Sequence, residues 1–372
     1  MKLKGIIDNA GDRLCNDGPH DHIVVSSRVR LARNLASHPF PGWAKKAERM
    51  QILEILKQAV EALPEMKDRF AEYLQDLTPL EKQVLVERHL ISREHAAKGA
   101  GSAVVMNRQQ TLSIMVNEED HLRMQALRPG LQLAETYKMV DVADSGLEQK
   151  LDYAFHQDLG YLTACPTNVG TGMRASAMLH LPALVISEQI NKIINSVNKI
   201  GLAVRGLYGE GTEAMGNIFQ ISNQTTLGET EEESIERLNK VVLQVIEHEQ
   251  NARQTLLQRK AITLLDQIGR AFGILNYAHS MSSKEALNLL SIIKLGIDLG
   301  IFPETSRLPV DELFMETQPA HLQKGTSQLK LPAEERDTLR AEIVRAKLKN
   351  MSDPDISNIK VGEETHPPKN DE

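Results

Sequence analysis

Cysteine is scarce: the 372 residues contain only Cys15 and Cys165. Two thiols cannot build a disulfide framework, and these lack the spacing of metal ligands. Long apolar runs are also missing. The longest, such as Leu181–Ile186, fall far short of the ~20 residues that a membrane span requires. The N-terminal segment carries acids and turn residues where a signal peptide needs an apolar core and a small-residue cleavage site. A cytoplasmic location is therefore expected. Net basic charge is absent as well. A formal charge of −7 argues against a nucleic-acid binder, which shows a basic footprint, although a local cluster of arginines can sit inside an acidic protein. What remains is ordinary for a soluble globular protein, with 41% hydrophobic and 25% charged residues. The length suffices for two domains with their own cores.

Residues 1–22 lack periodicity and read as an irregular lead-in. Residues 23–31 read as a strand ending in polar side chains. Helical patterns follow at 44–63 and 79–90, the second opened by Thr78 as N-cap, Pro79 at the first helical position and Glu81 closing a capping box. Runs 102–106 and 111–116 suggest a hairpin, and 131–155 a helix. Strand candidates lie at 161–164, 174–181, 202–208 and 217–222, interrupted by a helix at 187–200. This irregular mixture predicts an α+β fold with an antiparallel sheet flanked by helices. From Thr230, which forms another capping box with Glu233, the pattern stays helical to 260 and continues at 261–278, 283–299 and 332–351. The expected division is a catalytic α+β domain over 23–253, an all-helical domain over 254–350 and a disordered tail over 351–372.

Arginines stand where surface arginines are not needed. Arg28 and Arg30, two apart on a strand, point to one face. Arg123 follows an acidic turn, Arg174 opens a strand after a glycine-rich loop, and Arg205 lies within another strand. Each alone reads as a solvated or salt-bridged side chain. Neither glycine-rich segment, 165–174 or 205–211, is a P-loop, because no Gly-Lys-Ser/Thr follows. Residues 209–214 match G-x-G-x-x-A, but a strand-like pattern follows where that fingerprint requires a helix. Two glycines around Glu210 are better suited to presenting its carboxylate close to a ligand.

The segments SSRVRLARN, VNEEDHLR, CPTNVGTGMRAS and VRGLYGEGTEA, in this order, resemble the catalytic signature of the phosphagen (guanidino) kinases over residues 23–253. The resemblance implies phosphoryl transfer from ATP, with Mg²⁺ bridging the phosphates and no metal ligand from the protein. It assigns a clamp on the phosphates to Arg28, Arg30, Arg123, Arg174 and Arg205, and places His89 beside the base or ribose. The implied nucleotide site also includes Ser26, Ser27, Val29, Ala175, Ser176, Ala177, Met178, Gly206, Leu207, Tyr208, Gly209 and Glu210. Such a clamp is physically sensible, since phosphoryl transfer needs positioning and charge neutralisation more than covalent help. A guanidinium with a pKa above ~12 is a poor nucleophile, so the acceptor side needs carboxylates to align it and take its proton. By resemblance these are Glu119 and Glu210, while Glu118, Asp120 and Glu213 cap or hydrogen-bond the cage. Cys165 matches the family's reactive cysteine, whose thiolate neighbouring arginines would favour.

Only 25 residues precede Ser26, where ordinary phosphagen kinases carry a sizeable helical domain, and a helical region follows the catalytic part. Both departures resemble the bacterial protein arginine kinases of the McsB family, whose acceptor is an exposed arginine of a protein. Residues Arg336, Asp337, Thr338, Leu339, Arg340 and Ala341 fit that family's RDxxRA element, which binds phosphoarginine and serves allosteric control. The resemblance implies an activator, McsA; the heat-shock repressor CtsR; marking of proteins for the ClpC–ClpP protease in a stress response; and a homodimer through the helical domain. A kinase of free arginine or another small guanidino compound, and a phosphoarginine-binding adaptor, are the alternatives.

Overall fold

The structure, a computed structural model, describes residues 18–206, 214–324, 331–355 and 357. Its strands are β1 (Val24–Arg33), β2 (Arg69–Tyr73), β3 (Ala103–Asn107), β4 (Leu112–Val116), β5 (Leu122–Pro129), β6 (Phe155–His156), β7 (Gly160–Tyr161), β8 (Met173–His180), β9 (Leu202–Gly206) and β10 (Ile218–Asn223). Eight form one sheet in the order β2-β3-β4-β5-β1-β8-β10-β9, with every neighbouring pair antiparallel. β6 and β7 form a separate ribbon. The expected α+β class and the 103–116 hairpin are present.

Strand alternation sorts the side chains. Val29 and Leu31 of β1, Met124 and Ala126 of β5, and Ala175 and Ala177 of β8 share one face and are buried. Over that face pack the helices Leu133–Glu148 and Glu231–Arg259. On the opposite face, Val104, Met106 and Met115 bury against the helix Pro79–Glu87 in a second, smaller apolar cluster. Beyond this cluster the same face opens into a cleft.

Local signals hold at the helix starts. The Glu81 N–H donates to Thr78 Oγ1 at 3.2 Å and the Thr78 N–H to Glu81 Oε2 at 2.8 Å; Thr230 and Glu233 repeat the arrangement. Several boundaries differ from expectation. The 79–90 helix stops at Glu87, and His89 beyond it has φ 55 in the left-handed region. The 131–155 helix ends at Glu148, and only Gly160–Tyr161 of the 161–164 strand candidate pairs. Strands β2 and β5 and the helices Arg307–Glu316 and Pro319–Lys324 were not anticipated. For β5 the signal exists: Leu122, Met124 and Ala126 alternate with Arg123 and Gln125. The expected division at 253/254 lies within the continuous helix Glu231–Arg259, after which the chain turns at Lys260. Most of the 1–22 lead-in and of the 351–372 tail lies outside the described residues.

The helical region packs Ala261–Tyr277 against Ser283–Asp298 and against Ala333–Leu348. Arg253 ties it to the sheet's helices, donating to Glu249 Oε1 at 2.9 Å and Asp298 Oδ2 at 3.0 Å.

Arg33, on the core face of β1 and 2% exposed, shows why its motif carries a third arginine. Its Nε and Nη2 donate to Asp144 Oδ2 at 2.9 and 2.6 Å, and Nη1 to the carbonyls of Ala32 and Thr171. Its guanidinium also lies over the Tyr161 ring, 3.5 Å from the centroid. Removing the carboxylate would leave a buried cation uncompensated. Asp144→Ala is therefore expected to cost about 3–5 kcal/mol of stability, read as a lower urea midpoint, and an unchanged midpoint would contradict the pairing.

Candidate active site

Register carries the arginines into one place. Directly opposed residues of neighbouring strands point to the same face. Arg30 lies opposite Gln125 on β5 and Arg174 on β8, Ala32 opposite Arg123, and Arg205 opposite Gln220. Arg28, Arg30, Arg123, Arg174 and Arg205 consequently line a single cleft of ≈ 1430 Å³ over β5, β1, β8, β10 and β9. The same alternation divides the segments that the resemblance assigned to the nucleotide. Ser27, Val29, Ala175 and Ala177 turn their side chains to the core, whereas Ser26, Ser176 and Met178 share the arginine face. None of these seven lines the cleft. Gly206 ends β9, and Leu207, Tyr208, Gly209 and Glu210 lie outside the described residues.

Electrostatically the cleft is a built-in cation field. Burial and then Arg123 and Arg174 push the Arg28 guanidinium down to about 10. Arg30 is driven well below its ordinary value by burial, then by Arg28, Arg123 and Arg174. Arg174 is lowered by burial and by Arg205. Arg28 donates to Gln220 Oε1 at 2.9 Å, but the Nε atoms of Arg28, Arg30 and Arg174 are buried without a hydrogen-bond partner. Guanidinium stays protonated at neutral pH, so the cluster bears both mutual repulsion and lost hydration. A polyanion relieves both.

Arg123 differs because a carboxylate holds it. Its Nη1 donates to both oxygens of buried Glu118 at 2.7 Å, and Glu118 also accepts from Ser92 Oγ at 2.5 Å. Glu118 belongs to the turn between β4 and β5, which Asn117 opens with φ 55, a conformation asparagine tolerates. Asp120, also buried, accepts from Asn34 Nδ2 and the Ala164 N–H, both at 2.6 Å. Glu119 alone of the three acids projects outward, exposed and lining the cleft. Burial of its stem, then Asp120 and Glu118, raise its carboxyl. His121 closes the turn. Its Nδ1 accepts from the Leu35 N–H at 3.1 Å, leaving Nε2 to donate to the Pro39 carbonyl at 3.2 Å, and burial lowers it to about 4, so it is neutral. That bond anchors a loop in which Trp43, 90% exposed, stands at the cleft's rim.

The glycines of CPTNVGTGMRAS have steric reasons. A Cβ on Gly170, at φ +113, would meet the Thr226 carbonyl oxygen at 2.0 Å, and one on Gly172, at φ +65, would meet Arg33 Nη1 at 2.6 Å. This close seating sets Arg174 in register. Cys165, half-buried with its Sγ 3.0 Å from Thr167 Oγ1, lies near enough to Arg174 to act on its charge, though not among the lining residues.

His89 also lines the cleft, as do Gln83, Val86 and Glu87 of the preceding helix. Gln318 and Pro319, from the helical region, also line it, as sequence reasoning did not anticipate. Gln220 was missed too, although polar Gln220 and Ser222 alternate with buried Phe219 and Ile221. The 336–341 element lies on the helix Ala333–Leu348, away from the cleft's lining. Arg340 is 1% exposed and donates to the carbonyls of Thr317 and Met281 and, at 2.5 Å, to Asp337; Arg336 donates to the Leu331 carbonyl at 3.3 Å.

A family model described as ATP:guanido phosphotransferase, C-terminal catalytic domain, matches residues 51–252, and one described as protein-arginine kinase McsB C-terminal domain matches 261–359. The matches leave residues 253–260 between them, the end of the helix Glu231–Arg259 and Lys260. The sequence is 48% identical over 349 residues to the protein-arginine kinase of Halothermothrix orenii, covering 94% of this chain and 99% of that protein. It is likewise 48% identical to that of Halalkalibacterium halodurans, covering 94% and 98%. Among solved structures, the duplicated taurocyamine kinase of Schistosoma mansoni with bound transition-state-analogue components is similar, with a TM-score of 0.58 and 28% identity over 63% of this chain and 34% of that one.

Proposed function

From the premise that the chain belongs to the protein-arginine kinases, within the ATP:guanido phosphotransferase family, we propose a division of labour in the cleft. Arg28, Arg30, Arg123, Arg174 and Arg205 hold the triphosphate, and His89 flanks the base or ribose. Glu119, with Glu210, grips the guanidinium of an arginine in a protein substrate. The observation that carries this reading is five guanidinium groups on one sheet face with the outward carboxylate of Glu119 lining the same cleft.

Glu119 aligns one guanidinium nitrogen against the γ-phosphorus of ATP and accepts its proton as the N–P bond forms. The bond from γ-phosphorus to the bridging oxygen breaks, and its electron pair leaves on ADP. The clamp neutralises charge on the transferring group throughout. Cys165 assists near the acceptor. Mg²⁺ would ride on the phosphates, as it commonly does, and supply charge neutralisation there.

Trp43 supports a macromolecular acceptor: a flat, rigid aromatic surface at the rim suits a polypeptide better than one free amino acid. At the 336–341 element, phosphoarginine would replace Asp337 at Arg340, freeing the Asp337 carboxylate for the ligand's guanidinium. The wider reading takes in the McsA activator, inactivation of CtsR, marking of proteins for ClpC–ClpP, cytoplasmic action and a homodimer. Exposed Ile262 and Tyr277 on the helix Ala261–Tyr277 offer apolar surface for that dimer. No helix among the described residues is long and apolar enough to cross a membrane.

The test is incubation of a model protein with ATP, Mg²⁺ and this chain, followed by mass spectrometry under non-acidic conditions that preserve the P–N bond. Phosphate on arginine is expected. Efficient ADP release with free arginine and no labelled protein would favour the small-substrate alternative instead.

A further inference from the structure

The nucleotide end of the cleft is closed by a segment from the helical region. Gln318 and Pro319 form part of its wall, together with Ser283. What holds that wall is Glu87, the last residue of the helix Pro79–Glu87 and only two positions before His89. Its carboxylate is 6% exposed and accepts three bonds from beyond the catalytic domain: the Ala320 N–H at 2.8 Å, the His321 N–H at 3.1 Å and His321 Nδ1 at 2.8 Å. Arg88 Nε donates to His321 Nε2 at 3.1 Å. Nε2 is thus the acceptor and Nδ1 carries the proton, a neutral tautomer that satisfies every partner. Ala320 adds an apolar contact, buried in the same cluster as Val84, Leu85 and Leu90.

A buried carboxylate that reaches into another domain needs a reason, since burial of charge is costly unless every lone pair is used. Here the bonds lock two things to one another: the chain leaving the helix at Glu87, which sets the left-handed turn at His89, and residues 318–321. We propose that Glu87 and His321 are positioning residues of the ATP site. In this assignment the helical region supplies one wall of the nucleotide pocket, and affinity for ATP reports how firmly that region is docked. The proposal rests on the reading of the His89 end as the nucleotide end.

The test is steady-state kinetics of the full chain with a protein acceptor, using Glu87→Gln, His321→Ala and the double variant. Glu87→Gln keeps one acceptor oxygen but turns an NH₂ group toward backbone donors. A lost hydrogen bond to a charged group is expected to raise the KM for ATP about tenfold, with kcat within about twofold and the acceptor KM unchanged. The double variant should cost no more than the larger single one, because both remove the same link. Ser283→Phe adds bulk to the same wall without touching the link and should give the same split. An unchanged KM for ATP in folded variants, or ATP and acceptor KM rising together, overturns the proposal. If the link variants fail to fold, Ser283→Phe decides alone: an unchanged KM for ATP overturns the wall. Failure of the underlying reading looks different: if the His89 end holds the acceptor, the same variants raise the acceptor KM alone, whereas failure of the proposal leaves both KM values unchanged or raises both.

Discussion

Arg30→Met is expected to abolish phosphoryl transfer while leaving the protein as stable as before, or more stable. Arg30 sits at the centre of the clamp, opposite Arg174 and on the same face as Arg28. Removing a charge that meets the transferring phosphoryl typically costs 10²–10³ in kcat and more for arginines acting on phosphate, so a loss of about 10³-fold is anticipated. Stability should move the other way. Arg30 is held against burial and three neighbouring cations, and methionine fills similar space without the charge. Relief of that repulsion raises Tm or leaves it unchanged, a trade between function and stability common at active sites. Thermal melts with and without ATP would check both halves. Wild-type chain should gain more from the nucleotide than the variant does. A variant that unfolds readily, or one that retains kcat, would sink this account of the clamp.

Glu119→Gln should fail differently. The amide can still orient a guanidinium but cannot accept its proton, so kcat falls by about 10²–10⁴-fold while the KM for ATP stays near wild type. Activity against pH separates this role from simple contact. The carboxyl of Glu119 is raised above its ordinary 4.5 by burial, then by Asp120 and Glu118. The base works only when ionised, so activity declines as pH falls through this raised value, and that acidic limb vanishes in the glutamine variant. The sign for stability follows from proton binding. Between the unfolded and the raised folded value the native state holds more proton, so stability decreases as pH rises there. Losing the carboxylate therefore carries no stability penalty. A limb at the same pH in wild type and variant would assign it to another group.

Much of this organisation was legible in the chain itself. Both capping boxes, with Thr78 and Thr230, form as their spacing predicts, because such contacts close within four residues. The placement of Arg28 and Arg30 on one face needed only the period of a strand. Other features were visible but unread, such as the alternation of β5 that puts Arg123 and Gln125 in the cleft. The helix Glu231–Arg259 serves both regions, its buried positions passing from the sheet to the helical layer without a break in periodicity, so the division near 253 falls within one continuous helix.

The sequence by itself singled out the groups proposed to do the chemistry: the arginines, an acid of the VNEEDHLR turn and the glycine-rich loop before Arg174. Those assignments rest on the resemblance of four ordered motifs to the phosphagen kinases, and a linear chain displays such motifs directly. Only the tertiary structure decided how they are combined. It placed five arginines from four separate segments on one face, divided the flanking residues between cleft and core, committed Glu118 to Arg123 and left Glu119 outward. It also brought Glu87 to His321, 234 positions away. The physical reason is that strand register and domain docking are set by burial summed over the whole core, where no local window carries the information.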